Sequence, residues 1–223
     1  MVGTISEIER IMKQFLRASL LFVTLIFFTQ PLLFAQSPAV YAKMKEKYPD
    51  VIGVFLAKWD KVDLCLEGDS IRVQEHSYQQ LLHLGDNNAS ILSEDEIYSS
   101  HFMRKDRLEA YTLVPEKRKF RKVPVSTFTE KDEQSSGIFY DDSRETFFHY
   151  PNVQPGAITV KDYTRHITDP RFLTAFYFGS FIPIEETYLE VTMDEAISIN
   201  FVEQNTEGYD IKLEKSRKDD RVT

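Results

Sequence analysis

Cysteine and histidine are the side chains whose types could carry nucleophilic chemistry: one cysteine, Cys65, and five histidines, His76, His83, His101, His149 and His166. A thiol nucleophile needs a base within hydrogen-bond reach and a pKa below that of a free cysteine. Cys65 lies in Val62-Asp63-Leu64-Cys65-Leu66, which alternates like a strand and lacks the small or aromatic flanking residues of a nucleophile turn. A strand interior buries a thiol instead of activating it, so Cys65 reads as a packed apolar side chain and no catalytic residue is assigned. A single cysteine also allows neither an internal disulfide nor a cysteine-based zinc cluster.

Metal chemistry is poorly supplied too. No two histidines stand at helical i, i+4 spacing or in an HExxH context, and His76 and His83 fall on opposite faces of a continuous strand. Asp86, Asn88 and Ser90 match three ligand positions of an EF-hand loop, but Ile91 and Ile97 replace its turn glycine and bidentate glutamate. No metal and no cofactor are expected. Asn88-Ala89-Ser90 is also a glycosylation sequon, meaningful only in a eukaryotic secretory pathway.

Other residues could recognise a partner. Lys117, Lys119 and Arg121 share one face of an extended strand and form a candidate patch for an acidic partner or polymer, although lysines also protect a sheet edge from aggregation. The aromatics from Phe139 to Phe181 could stack on sugar rings if exposed, yet a sandwich needs bulky side chains between its sheets, so they are expected in the core. The net charge of −8 becomes −9 without residues 1–35, which carry three basic and two acidic residues. Such a surface repels phosphate backbones and anionic lipid, and argues against a nucleic-acid or peripheral membrane partner.

The elements that must position these residues begin with a signal peptide. Lys13 and Arg17 precede the uncharged run Ala18–Phe28, Pro31 and a small residue at Ala35, the order of an n-region, an h-region and a cleavage site. Residues 1–35 are therefore expected to direct export to the periplasm or cell exterior and to leave no membrane anchor after cleavage. Met12 is an alternative start, since Glu7 and Glu9 are unusual in an n-region. Residues 36–59 hold a short helix, with Ser37 as cap and Pro38 at its first position, and a lead-in strand.

Residues 60–213 read as an all-β, antiparallel sandwich-like domain. Two alternating runs flank the turn Glu67-Gly68-Asp69-Ser70 and predict a hairpin. Leu108–Val114, Ala157–Ile167, Phe172–Phe181, Tyr188–Met193, Ile197–Phe201 and Tyr209–Leu213 read as further strands, and Thr129–Gly137 as a solvated loop. Residues 214–223 form a charged tail, as if cut from a longer protein.

The run Tyr150-Pro151-Asn152-Val153-Gln154-Pro155-Gly156-Ala157-Ile158, the aromatic segment Phe172–Phe178 and Ile182-Pro183-Ile184-Glu185-Glu186-Thr187-Tyr188 continuing to Met193 resemble a bacterial exported domain of unknown function, family 3857. The resemblance spans about Asp60 to Lys212. It implies a β-sandwich-like domain with no catalytic residue that precedes a transglutaminase-like domain. Ala157 departs from it where an acidic residue is expected, and Asp194 where proline is common. The expected function is a non-catalytic extracytoplasmic β domain, not an enzyme, that supports a neighbouring transglutaminase-like domain or binds an extracytoplasmic protein or cell-surface polymer. The alternatives are the amino-terminal part of a transglutaminase-like cysteine peptidase whose catalytic domain lies downstream, and a carbohydrate-binding module.

The export reading predicts that residues 1–40, fused to a reporter active only outside the cytoplasm, give an active fusion. Retention of the reporter in the cytoplasm contradicts it.

Overall fold

The computed structural model describes residues 39–85, 92–117, 119–132 and 143–223. The signal-like segment, Ser37 and Pro38, the Asp86–Ser90 loop, and Phe139 and Tyr140 lie outside the described residues. Among the described residues, helix α1 (Ala39–Lys47) is followed by eleven strands: β1 (Gly53–Glu67), β2 (Ser70–His83), β3 (Glu94–Ser99), β4 (Met103–Glu116), β5 (Lys119–Pro124), β6 (Phe128–Asp132), β7 (Arg144–His149), β8 (Ile158–Ile167), β9 (Thr187–Asp194), β10 (Arg217–Lys218) and β11 (Arg221–Val222). A large sheet runs β10-β11-β9-β1-β2-β8-β4-β5 and a small one β3-β7-β6. The fold is all-β as expected, and the pairings between its described strands are antiparallel except β1 with β9, a parallel direction also seen in the Phe55–Ile184 bridge, which makes the large sheet mixed.

Local chemistry explains the long β1–β2 hairpin. Gly68 has φ 62° at the first central position of a two-residue loop, which an L side chain rarely adopts, and pairing starts at once with Glu67 opposite Ser70. The Pro155-Gly156 turn uses the same freedom: Gly156 has φ 81°, and its N–H donates to the His83 carbonyl at 2.8 Å.

The period of two divides the large sheet into two faces. On one face, Val54, Leu82, Ile158 and Val160 are buried against Met44 of α1, with Tyr41 and Tyr48 packed beside them. On the other, Val62, Leu64, Val73, Met103 and Ile167 pack under the segment after β8, which contributes Leu173, Ile197 and Ile199. Further along that face, Leu108, Ala110 and Tyr163 meet Ile97, Phe148 and Tyr150 of the small sheet and its flank. The sandwich is thus completed by the small sheet at one end and by irregular chain at the other.

Between these two apolar regions lies a buried ion pair. Glu75 on β2 stands opposite Arg165 on β8, and the guanidinium donates from Nε to Oε2 at 3.1 Å and from Nη2 to both carboxylate oxygens at 2.9 Å. Burial opposes the Arg165 charge, but the Glu75 carboxylate more than offsets it and raises the guanidinium pKa. Two further contacts tie the sheets together: Lys161 Nζ to Asp95 Oδ1 at 2.7 Å, and Lys105 Nζ to Thr146 Oγ1 at 2.6 Å.

Several elements differ from the expectation. Thr129–Asp132 belongs to β6 instead of a loop, because its backbone pairs with β7 from Phe128↔Phe148 to Asp132↔Arg144. Phe172–Phe181, Ile197–Phe201 and Tyr209–Leu213 are irregular; a 3-10 turn at Pro170–Phe172 ends the strand pattern, and no neighbouring edge pairs with the rest. β1 runs without a break through residues 59 and 60. The charged carboxy-terminal residues form β10 and β11, held by Arg221, which reaches Asp194 Oδ1 at 2.9 Å and Asp63 Oδ2 at 2.6 Å. Asp194 also accepts from the Leu66 N–H at 2.7 Å, which gives this departure from the family pattern a structural role. Ala157 is fully buried, a place where a carboxylate would lie without water.

His83 is buried with Nε2 3.0 Å from Thr159 Oγ1, and burial lowers its pKa to about 4. The unfolded chain therefore takes up a proton near pH 6.5 that the folded chain refuses until about pH 4. Stability present above pH 6.5 is lost as pH falls through that window, by about 3 kcal/mol. Chemical denaturation between pH 7 and pH 4 should show this loss, and His83→Gln should remove that part of the slope. An unchanged slope in the variant contradicts the assignment.

Candidate functional site

The cysteine and histidines selected from the sequence do not come together. Cys65 is half-buried on the sheet face opposite Val62 and Leu64, so it is not a core side chain: in a strand the flanking leucines report on the other face. Cys65 pairs with Arg72 and His76 pairs with Lys61, four residues further along β1. At about 3.3 Å per residue, this puts His76 about 13 Å from Cys65. His76 is occupied by Asp162, with Nε2 2.9 Å from Oδ1. His101, His149 and His166 are exposed on separate strands or turns. Among the described residues, no group of three or more potential ligands could hold a metal ion.

The basic candidates sit at the β4–β5 hairpin, where β5 is an edge of the large sheet. Lys117 occupies the turn with φ 44°, Lys119 is exposed, and Arg121 Nε donates to Glu116 Oε1 at 2.6 Å. Arg121 is thereby turned to its own hairpin, which leaves Lys117 and Lys119 as the outward charges of the three.

Two constellations escaped the sequence reading because they form only when distant strands align. On the α1 face, Tyr78, Trp59 and Tyr188 stack across β2, β1 and β9, with centroid separations of 5.0 and 5.6 Å and interplanar angles of 19° and 14°. His76 meets Trp59 edge-on at 5.0 Å, and Lys61 Nζ lies 5.6 Å from the Trp59 centroid. Rings stacked on one another present edges to solvent, whereas a sugar packs on an open ring face. The alternation in Lys58-Trp59-Asp60-Lys61 hinted at this row, but its partners come from β2 and β9.

On the opposite face, Phe55, Gln79, Leu81, Leu92, Thr159 and Ile182 line a cleft of about 170 Å³. Asp95 at its rim accepts from Lys161, from the Tyr150 hydroxyl at 3.2 Å and from the Glu96 N–H at 2.8 Å. Burial, reinforced by Asp95, raises the Tyr150 pKa, so the phenol stays protonated and donates. Asp95 is thus saturated as a clamp between the sheets. Nearby Lys58 donates to the Tyr177 carbonyl at 2.8 Å, and burial lowers its pKa. The cleft can accept a small group, and in its wall Thr159 Oγ1 lies 3.0 Å from Nε2 of the buried His83.

The most exposed apolar chemistry lies in residues 172–213. Tyr177 is 71% exposed, Phe181 101%, Val202 79% and Leu213 85%, and Phe201 and Tyr209 also face solvent. Phe172 stacks on Phe102 at 4.6 Å, and Phe176 meets Phe178 edge-on at 4.7 Å. Core placement therefore holds for Phe148 and Tyr150 but not for this segment, whose backbone is irregular on either side of β9.

A search of curated proteins gave no significant match. Among solved structures, a "putative protease" from Parabacteroides distasonis ATCC 8503 superposes with TM-score 0.59 and 15% identity, covering 77% of this chain and 34% of that one. The M1 zinc metallopeptidase from Deinococcus radiodurans and a point mutant of it reach TM-scores of 0.35 and 0.38 at 7% and 8% identity, each over 76% of this chain and 37% of theirs. Those two likenesses are too loose to bear on function. The chain thus spans about a third of the length of the structures it matches. A family model matches residues 90–223, more than half of the chain, which belongs to the family described as a Domain of Unknown Function with solved structure, DUF3857.

Proposed function

We propose that this chain is a non-catalytic extracytoplasmic β domain whose 172–213 surface docks on and positions a neighbouring transglutaminase-like domain. The observation that carries this reading is the concentration of large exposed apolar side chains in that one segment. Exposed apolar patches mark interaction sites, and burying one such aromatic side chain contributes about 1.5–3 kcal/mol. A second reading, the amino-terminal part of a transglutaminase-like cysteine peptidase, draws support from the fold likeness to a longer protein described as a protease. In both readings the acyl-transfer groups lie in another domain, and this chain supplies placement.

Replacement of Tyr177, Phe181 and Leu213 together by serine should leave folding stability within about 1 kcal/mol, since these side chains are exposed. It should weaken binding to a purified transglutaminase-like domain at least tenfold in calorimetry. Unchanged binding, or hydrolysis of peptide or amide substrates by purified residues 36–223, contradicts the proposal.

A further inference from the structure

The cleft beside the small sheet combines apolar walls with polar groups. Phe55, Leu81, Leu92 and Ile182 give it the apolar part. A cavity of about 150 Å³ with walls of this kind holds a six-carbon ring, so the cleft's volume of about 170 Å³ suits an apolar body of about that size. Most of the polar lining is already engaged. Thr159 Oγ1 lies 3.0 Å from His83 Nε2, Tyr150 and Lys161 both donate to Asp95, and Glu94 Oε1 lies 3.5 Å from His149 Nδ1. The Gln79 carboxamide differs: among the described residues its side chain has no hydrogen-bond or ionic partner. A half-buried amide that opens into a cleft is satisfied there by water or by a ligand.

Register places this amide between two ammonium groups. Gln79 pairs with Lys58 on β1 and with Lys161 on β8, and residues directly opposite across strands share one face. Strands about 4.8 Å apart thus set a row of cation, amide and cation across the sheet, next to the apolar walls. Each ammonium has three donors. Lys58 Nζ directs one to the Tyr177 carbonyl at 2.8 Å, and Lys161 Nζ directs one to Asp95 Oδ1 at 2.7 Å. Burial lowers the Lys58 pKa against the pull of Asp60, and the like charge of Lys161 adds to the lowering. An anion between the two lysines would relieve that repulsion. Carboxylates bound the same space: Glu94 and Asp95 line it, and Asp60 follows Lys58 on the same face of β1. A ligand with one negative charge fits this setting, whereas a second charge would meet those carboxylates.

We infer that this cleft binds a small monocarboxylic acid with a branched or cyclic apolar body. Its carboxylate accepts from Gln79 Nε2 and from the remaining donors of Lys58 and Lys161, as charge-assisted hydrogen bonds. Its body rests on Phe55, Leu81, Leu92 and Ile182. The volume is filled by the acid alone, which favours a free acid over the carboxy terminus of a polypeptide. This site goes beyond the docking reading, because it lies within this chain and needs no neighbouring domain.

Isocaproate is the probe. Titrated into the purified chain, it should shift the Gln79 side-chain amide resonances saturably. Acetate, which lacks the apolar body, isocaproamide, which lacks the charge, and glutarate, which carries a second carboxylate, should each bind at least tenfold more weakly. Gln79→Leu and Lys58→Met should each weaken isocaproate at least fivefold in ligand-observed titrations, whereas Lys119→Met, on the β5 edge, should leave it unchanged. Absence of a saturable shift, equal affinity for acetate or the amide, or an equal loss in Lys119→Met overturns the proposal. Tighter binding of N-acetylleucine than of isocaproate makes a polypeptide terminus the occupant and overturns the assignment to a free acid.

Discussion

The Glu75–Arg165 ion pair is the constraint on which the arrangement of this domain depends. A charge pair in the interior is costly to desolvate and persists only when geometry and further hydrogen bonds compensate. Here the three guanidinium contacts join β2 to β8 at the centre of the large sheet, and Arg165 Nη2 also donates to Thr174 Oγ1 at 3.3 Å in the segment that covers the sheet. A one-residue slip of either strand would move one charge to the opposite face and leave its partner buried alone. The pair therefore sets the central register, and that register decides which side chains reach each face.

The rest follows from that register. With Glu75 opposite Arg165, Gln79 falls opposite Lys161, and Lys161 can reach Asp95 to draw the small sheet onto the large one. On the other face the same alignment leaves His76 to Asp162, while the β1–β2 hairpin register brings Tyr78 beside Trp59. One half of that face is closed by α1, and the other carries the aromatic row. The covering segment, anchored at Thr174 and by Ile197, buries its anchors and exposes the aromatics between and beyond them. The apolar surface is thus a consequence of how the sheet is covered.

Sequence alone made the local part of this legible. The Gly68 hairpin, the β4 and β8 strands and the alternation of β9 were readable because turn chemistry and period lie within a few residues. Partners far along the chain were not readable. The parallel pairing of β1 with β9, the Glu75–Arg165 pair and the Tyr78–Trp59–Tyr188 row each require strands more than 80 residues apart or three strands in register. Alternation misled where it had no edge to pair with, as in Tyr209–Leu213. Polarity misled in Thr129–Asp132, where β7 supplies the edge. Cys65 was misplaced because Leu64 and Leu66 describe the face it does not occupy. The exposed surface at Tyr177 and Phe181 escaped because aromatic content was equated with core.

A double-mutant cycle on the central pair is the most direct measurement of this account. Glu75→Ala and Arg165→Ala should each cost about 3–5 kcal/mol in urea denaturation, since each leaves an uncompensated buried charge. Glu75→Leu combined with Arg165→Met should cost less than either single change, with coupling of at least about 2 kcal/mol between the two alanine substitutions. Additive single effects of less than about 1 kcal/mol would show that the register is held elsewhere and would contradict the account.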